Sequence, residues 1–329
     1  MSDPLFNIRN LNKQFDSREG NFLKNLVFGG KQLHAVDDVS FDINRGEILG
    51  LAGQSGCGKS TLGELLLRLQ EPTDGVIAFD GTNINDYSST ELKKYRRRCQ
   101  VIFQDPYEAL NPRFPVSRIV TEPLVIHGLG DAEERYNRAI EALEEAGLTP
   151  AKKYFNKLPK ELSGGERQRV CIARALVLDP DFIVADEPVS MLDVSVRTGI
   201  LHLFKELQES RDLTMLYVSH DLSTINYLAD RTMIMYLGDI VEIGPTEQVI
   251  HESAHPYTEA LVDAVPTPGK ERDSLAERGG DVPKPVDLPG GCRYEPTCTY
   301  ATEKCNSVDP LLEELDQSRH VSCHHPVQN

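Results

Sequence analysis

Residues 47–69 read EILGLAGQSGCGKSTLGELLLRL. The apolar run from Glu47 to Gly53 predicts a buried strand, and Ser60 to Leu69 predicts the helix that follows it. Between them, Gly53 to Ser60 fits the pattern G-x-x-x-x-G-K-[ST]. Glycines at these places let the backbone fold into a nest of amide N–H groups around phosphate oxygens. The helix N-terminus adds positive potential. Gly53, Ser55, Gly56, Cys57, Gly58, Lys59, Ser60 and Thr61 are therefore the candidate phosphate-binding residues. Lys59 is expected on the β- and γ-phosphates of a nucleotide, and Ser60 on Mg²⁺.

Working outward, Phe182-Ile183-Val184-Ala185-Asp186-Glu187 supplies a second half. Four apolar residues predict a central strand with a carboxylate at its end. Asp186 is expected to bind Mg²⁺ through its water shell, and Glu187 to act as the base or water-positioner for hydrolysis. Thr214 to Ser219 predicts another buried strand. Strand-like and helix-like segments alternate from residue 5 to about residue 250, which implies an α/β fold with a mainly parallel core sheet. Ala132 to Ala146 and Gly165 to Leu178 carry long helical patterns. The stretch from about 95 to 170 reads as a helical insert without core strands. After Pro256 the composition changes. Ala264 to Gly291 is rich in Pro and Gly with little periodicity, so it reads as a linker or an irregular wrap. The expected division is one domain over 1–255 and a small cysteine-rich extension over 256–329.

Leu162-Ser163-Gly164-Gly165-Glu166 precedes a helix carrying Arg167, Gln168, Arg169, Ala173 and Arg174. The local chemistry is that of a capping box, Ser163 with Glu166. LSGGE followed by RQRVCIARAL also closely resembles the signature sequence of ATP-binding-cassette (ABC) ATPases. That resemblance implies a P-loop fold with an antiparallel β part, and it organises further residues. Gln104 matches the Q-loop and is expected near Mg²⁺. Ser190-Met191-Leu192-Asp193 matches the D-loop, with Met191 where Ala is usual and Asp193 at the catalytic interface. His220 matches the switch histidine that touches the γ-phosphate. Phe15 lies near the place of the aromatic that stacks on adenine, with Phe22 and Phe28 as competitors. In such ATPases two domains face each other head to tail, so Ser163, Gly164, Gly165 and Glu166 are expected to meet ATP bound by a partner subunit. A helix N-terminus aimed at the γ-phosphate favours its charge, which makes the nucleotide part of the dimer's glue.

Further stretches resemble the oligopeptide/dipeptide branch of ABC importers. They are Gln104-Asp105-Pro106-Tyr107 with Leu110-Asn111-Pro112-Arg113, Asp186-Glu187-Pro188-Val189-Ser190, Met235-Tyr236-Leu237-Gly238 and His255-Pro256-Tyr257-Thr258. The resemblance implies an ATPase that drives peptide uptake, with a second related ATPase subunit (or a second copy) as partner. Two integral-membrane permeases and an external binding protein complete such a system. Oligosaccharide and nickel are alternative cargoes. A soluble ABC ATPase unconnected with transport is a further alternative.

The tail holds Cys292, Cys298, Cys305 and Cys323 in the spacing C-x5-C-x6-C-x17-C. Zinc sites more often pair ligands two to four residues apart, whereas iron–sulfur clusters accept looser four-cysteine sets. The family resemblance points to a [4Fe–4S] cluster. The alternatives are zinc, with His320, His324 and His325 as spare ligands, and four free thiols. The other three cysteines, Cys57, Cys99 and Cys171, read as small buried residues.

The 329 residues carry 51 acidic and 35 basic side chains, a net charge of −16. Phosphate backbones are bound by basic patches, so this balance argues against a nucleic-acid partner. No apolar stretch approaches the roughly 20 residues that span a bilayer, and no secretory leader is evident. The expected location is the cytoplasmic face of the membrane, reached through partner subunits.

Overall fold

The computed structural model describes residues 4–16, 32–265, 288–316 and 318–327. They form two compact units, one of residues 1–44, 49–85 and 218–329, the other of residues 45–48 and 86–217.

The first unit begins with a four-stranded antiparallel sheet in the order β2-β1-β4-β5. Its strands are β1 (Phe6–Asp16), β2 (Gln32–Ile43), β4 (Asp74–Phe79) and β5 (Thr82–Asn83). Phe6, Ile8 and Leu11 are fully buried while Arg9 is exposed. That alternation places one face of β1 in a core, as a half-buried strand requires. Phe6 pairs with Ile43 on one side and Phe79 on the other, and the Phe6 and Phe79 rings lie 4.9 Å apart.

The strand before the glycine loop, β3 (Ile48–Ala52), is buried at every residue. It runs parallel to β9 (Arg231–Tyr236), which pairs antiparallel with β10 (Asp239–Pro245). The sheet order continues from β10 to β12 (Arg319–Val321) and β11 (Glu313–Asp316). The extension expected to be irregular thus adds an antiparallel hairpin to the free edge of β10. Its strands read EELD and RHV, too polar and too short to predict from pattern. Their stability comes from the ladder to β10.

In the second unit the strand order is β8 (Thr214–Val218), β7 (Phe182–Asp186) and β6 (Cys99–Ile102). β6 runs parallel to β7, Cys99 opposite Phe182. This strand corrects the expectation that 95–170 lacks core strands. Cys99-Gln100-Val101-Ile102 is only four residues long, and its partner lies some eighty positions on. Helices Val116–His127, Ala132–Glu145 and Gly164–Leu176 follow it. Asp131 and Glu134 form a capping box at the start of Ala132–Glu145, satisfying backbone donors that a helix leaves unpaired. Helix Ser89–Arg98 starts on the Ser88/Glu91 capping box and ends on Arg96, Arg97 and Arg98, charges that complement the helix dipole.

Among the described residues no helix is long and apolar enough to cross a membrane.

Candidate functional site

The site residues fall in both units. In the first, β3 delivers the chain into Gly53–Gly58, and helix Lys59–Leu66 leaves from it. The backbone demands glycine at two places above all. Gly53 and Gly58 have φ of 152° and 111°. A Cβ on Gly53 would lie 2.3 Å from the Met235 carbonyl oxygen, and one on Gly58 would lie 2.0 Å from that of Ala35. Cys57 is buried, and burial raises its thiol pKa above the ordinary value. Its carbonyl accepts the Gly238 N–H at 2.9 Å. Lys59 is 6% exposed, and its Nζ donates to the carbonyls of Gly53 at 2.7 Å and Gln54 at 3.0 Å. A buried ammonium needs such partners, and these are groups that a stronger acceptor can displace. Ser60 and Ser55 are exposed, and Thr61 is half-buried.

His220 is exposed, just past β8 and just before Asp221, which caps helix Leu222–Leu228 through the Ser223 N–H. Phe15 sits on β1, half-buried, with the Lys13 ammonium 4.9 Å from its ring centroid. The competing Phe22 and Phe28 lie outside the described residues.

In the second unit, the buried strand β7 ends on Asp186, and Glu187 follows with φ of 44°. A left-handed backbone at a non-glycine residue is uncommon and is held only by its surroundings. Here the Glu187 carbonyl accepts from the Ser190 N–H and hydroxyl at 3.2 and 3.0 Å. The Glu187 carboxylate accepts the Gln104 side-chain amide at 3.0 Å. Gln104 follows β6, so the parallel pairing of β6 and β7 brings the two side chains together.

Ser163 caps helix Gly164–Leu176. Its hydroxyl accepts the Glu166 N–H at 3.3 Å, and the Glu166 carboxylate accepts the Ser163 N–H at 2.7 Å. That backbone bond holds the Glu166 carboxyl below its usual pKa. A Cβ on Gly165 would lie 2.4 Å from Val196 Cγ1, and one on Gly164 would lie 3.6 Å from Leu192 Cδ2. The Ser163–Glu166 turn is therefore packed against the segment around Leu192, with Asp193 and Met191 exposed. Tyr107 and Tyr257 lie in stretches that resemble the family but receive no role from sequence; the Tyr107 ring stacks 4.1 Å under the Arg167 guanidinium, and the Tyr257 hydroxyl accepts the Gln54 N–H at 3.0 Å. Neither contact has a signal in sequence, because each partner lies far along the chain.

The four tail cysteines are free thiols, Cys305 buried and the others half-buried. All four line one cavity, shared with Tyr294, His324 and His325. The Cys292 N–H donates to the Cys305 carbonyl at 2.8 Å. Burial pushes the Cys292 thiol up to about 11, with Cys323 and Cys305 adding to the rise. Burial also raises Cys298 and Cys323. Among the described residues, no three His, Cys, Asp or Glu side chains stand close enough together to hold a metal ion.

A family model described as ABC transporter matches residues 36–190. A second, the C-terminal region of oligopeptide/dipeptide transporters, matches residues 241–305. A peptide import ATP-binding protein of Brucella ovis is 44% identical over 97% of each chain. The dipeptide transport ATP-binding protein DppF of Haemophilus influenzae is 42% identical over 98% of this chain and 97% of its own. Among solved structures, a dimeric ATP-binding cassette in a post-hydrolysis state with ADP and Pi is 31% identical. It matches 73% of this chain and 98% of its own, at a TM-score of 0.63. The cbiO1 protein from Clostridium perfringens, part of the ABC transporter complex cbiONQ, is 26% identical. It matches 81% of this chain and 97% of its own, at a TM-score of 0.65.

Proposed function

The chain belongs to the ABC transporter family of ATP-binding proteins, and on that premise we propose that it hydrolyses ATP to drive peptide import through membrane permeases. One observation carries the catalytic reading: Glu187 directly follows the strand-end carboxylate Asp186, in a strained backbone, with its own carboxylate fixed by Gln104. A base so placed is ready to orient an attacking water. Asp186 and Ser60 are the Mg²⁺ ligands in this reading, and Gln104 senses the metal and the γ-phosphate. Lys59 exchanges the Gly53 and Gln54 carbonyls for phosphate oxygens. The amide nest of Gly53–Gly58 spreads the remaining charge. His220 contacts the γ-phosphate, and Phe15 stacks on adenine.

One chain offers one phosphate loop and one Ser163-capped helix. The Ser163–Glu166 turn serves the nucleotide of an opposing subunit, and Asp193 lies beside that junction. The opposing subunit is a related ATPase, with a second copy as the alternative. Two integral-membrane permeases complete the assembly, and an external binding protein delivers the cargo. Peptide as cargo is supported by the relatives named for peptide and dipeptide transport.

The tail thiols suit a thiolate-bound group in one respect, that all four face a single cavity. Cys292, Cys298, Cys305 and Cys323 would hold a [4Fe–4S] cluster, or zinc with help from His320, His324 or His325. Such a group would cross-link the extension and supply no step of hydrolysis.

The test is affinity capture of a Glu187→Gln variant from native membranes with Mg-ATP. A second ATPase and two polytopic permeases are the expected companions. Recovery from the soluble fraction alone, or with ribosomal proteins, overturns the transport reading.

A further inference from the structure

We infer that Tyr257 and Tyr294 are positioning residues through which the C-terminal extension sets the shape of the phosphate loop. The inference rests on Gly53–Ser60 being the ATP phosphate site.

The peptide unit between Gly53 and Gln54 is gripped at both polar atoms. Its carbonyl oxygen accepts from Lys59 Nζ at 2.7 Å, and its N–H donates to Tyr257 Oη at 3.0 Å. When Lys59 turns to a phosphate, the Tyr257 hydroxyl is the hold that remains on that peptide plane. Tyr257 is 3% exposed, and burial keeps its phenol protonated by raising its pKa. Its own position is over-determined. It stands at the start of helix Pro256–Asp263, where its N–H donates to His255 Nδ1 at 3.0 Å. The peptide N–H groups of Ala254 and His255 donate in turn to the buried Glu242 carboxylate at 3.0 and 2.9 Å.

The ring of Tyr257 belongs to a cluster closed by the extension. Tyr236 lies 4.5 Å away and Tyr294 5.4 Å away, and Tyr294 is 5.4 Å from Tyr236. Aromatic contacts at these separations fix ring orientation, so Tyr294 holds the Tyr257 hydroxyl on its target. The neighbouring Arg293 braces the segment that meets the loop's other end. Its guanidinium donates to the Leu237 carbonyl at 2.7 Å and to the Asp37 carboxylate. The next residue, Gly238, donates its N–H to the Cys57 carbonyl at 2.9 Å. Arg293 and Tyr294 thus connect, through Leu237–Gly238 and through Tyr257, to Cys57 and Gln54, the two ends of a turn closed by the Cys57 N–H on the Gln54 carbonyl at 3.3 Å.

The experiment measures ATP and ADP affinity of the full-length chain with a fluorescent nucleotide, alongside its thermal midpoint and the turnover of the assembled transporter. Tyr257→Phe keeps the ring and deletes one acceptor. A buried N–H left without its acceptor is costly, and the loop relaxes away from its binding shape to avoid that. Both nucleotides are expected to bind about tenfold more weakly, with KM for ATP raised and kcat at saturating ATP retained. Tyr294→Leu is expected to weaken binding in the same direction, and to add little on the Tyr257→Phe background because both act through one hydroxyl. Unchanged affinity in Tyr257→Phe overturns the inference. So does loss that merely tracks the thermal midpoint, or strict additivity of the two changes. If the unsubstituted chain and Lys59→Ala bind Mg-ATP alike, the phosphate-site reading itself fails, and the inference with it.

Discussion

Replacing Gly58 by alanine separates two constraints that the phosphate loop places on its glycines. Gly58 has φ of 111°, and an added Cβ would lie 2.0 Å from the Ala35 carbonyl oxygen and 2.8 Å from Met235 Cε. A close carbon–oxygen contact is about 3.3 Å, so the overlap with Ala35 is on the order of 1.3 Å. Met235 can swing aside, but a carbonyl oxygen inside β2 moves only with its strand. Backbone strain contributes about 1–3 kcal/mol and forced overpacking a further 1–3 kcal/mol. Gly56 supplies the control. It has φ of 82° with nothing within 4 Å of an added Cβ, so Gly56→Ala carries the left-handed penalty alone, about 1–2 kcal/mol. Urea unfolding of the nucleotide-free chain reads the difference. Gly58→Ala is expected to lose about 1–3 kcal/mol more than Gly56→Ala, the overpacking contribution alone. Equal losses in the two variants would refute the steric reasoning and leave only the backbone term.

The buried His255 makes the first unit acid-sensitive. Burial pushes its imidazole down to about 3, against about 6.5 for an unfolded chain. Between those values the unfolded chain binds a proton that the folded one refuses. Its contribution is therefore complete above pH 6.5 and declines as pH falls, by about 1.4 kcal/mol per unit. The adjacent Glu242 carboxyl is raised by burial and works in the opposite sense, so the comparison must isolate the histidine. His255→Asn should shrink the stability difference between pH 7 and pH 5 by about 2 kcal/mol, and an unchanged difference contradicts the neutral buried imidazole. For the tail, the complex purified without oxygen should contain iron and sulfide that Cys305→Ser loses while still binding Mg-ATP. Absence of iron from the parent, or its persistence in the variant, removes the cluster.

Local signals account for most of what the sequence discloses. The glycine loop between a strand and a helix is legible because glycine spacing, lysine and hydroxyl all lie within eight residues. The Ser163/Glu166 capping box is legible for the same reason, and the structure contains it alongside the family motif it resembles. β6 is not, since Cys99–Ile102 gains strand character only from pairing with β7. The β11–β12 hairpin, polar and exposed on one side, depends likewise on the edge of β10. His255-Pro256-Tyr257-Thr258 stands out in sequence as a family resemblance without a mechanism. The physical content is a histidine cap, a proline in the first turn and a tyrosine hydroxyl 203 positions from its partner. Pattern reading has no access to a contact at that separation.

In the proposed mechanism Glu187 positions or activates the water that hydrolyses ATP. The direct measurement is nucleotide affinity and Mg-ATP turnover of the purified complex carrying Glu187→Gln. ATP binding should be retained and turnover should fall by about 10²- to 10⁴-fold. Turnover at the parent rate, with binding intact, would contradict it.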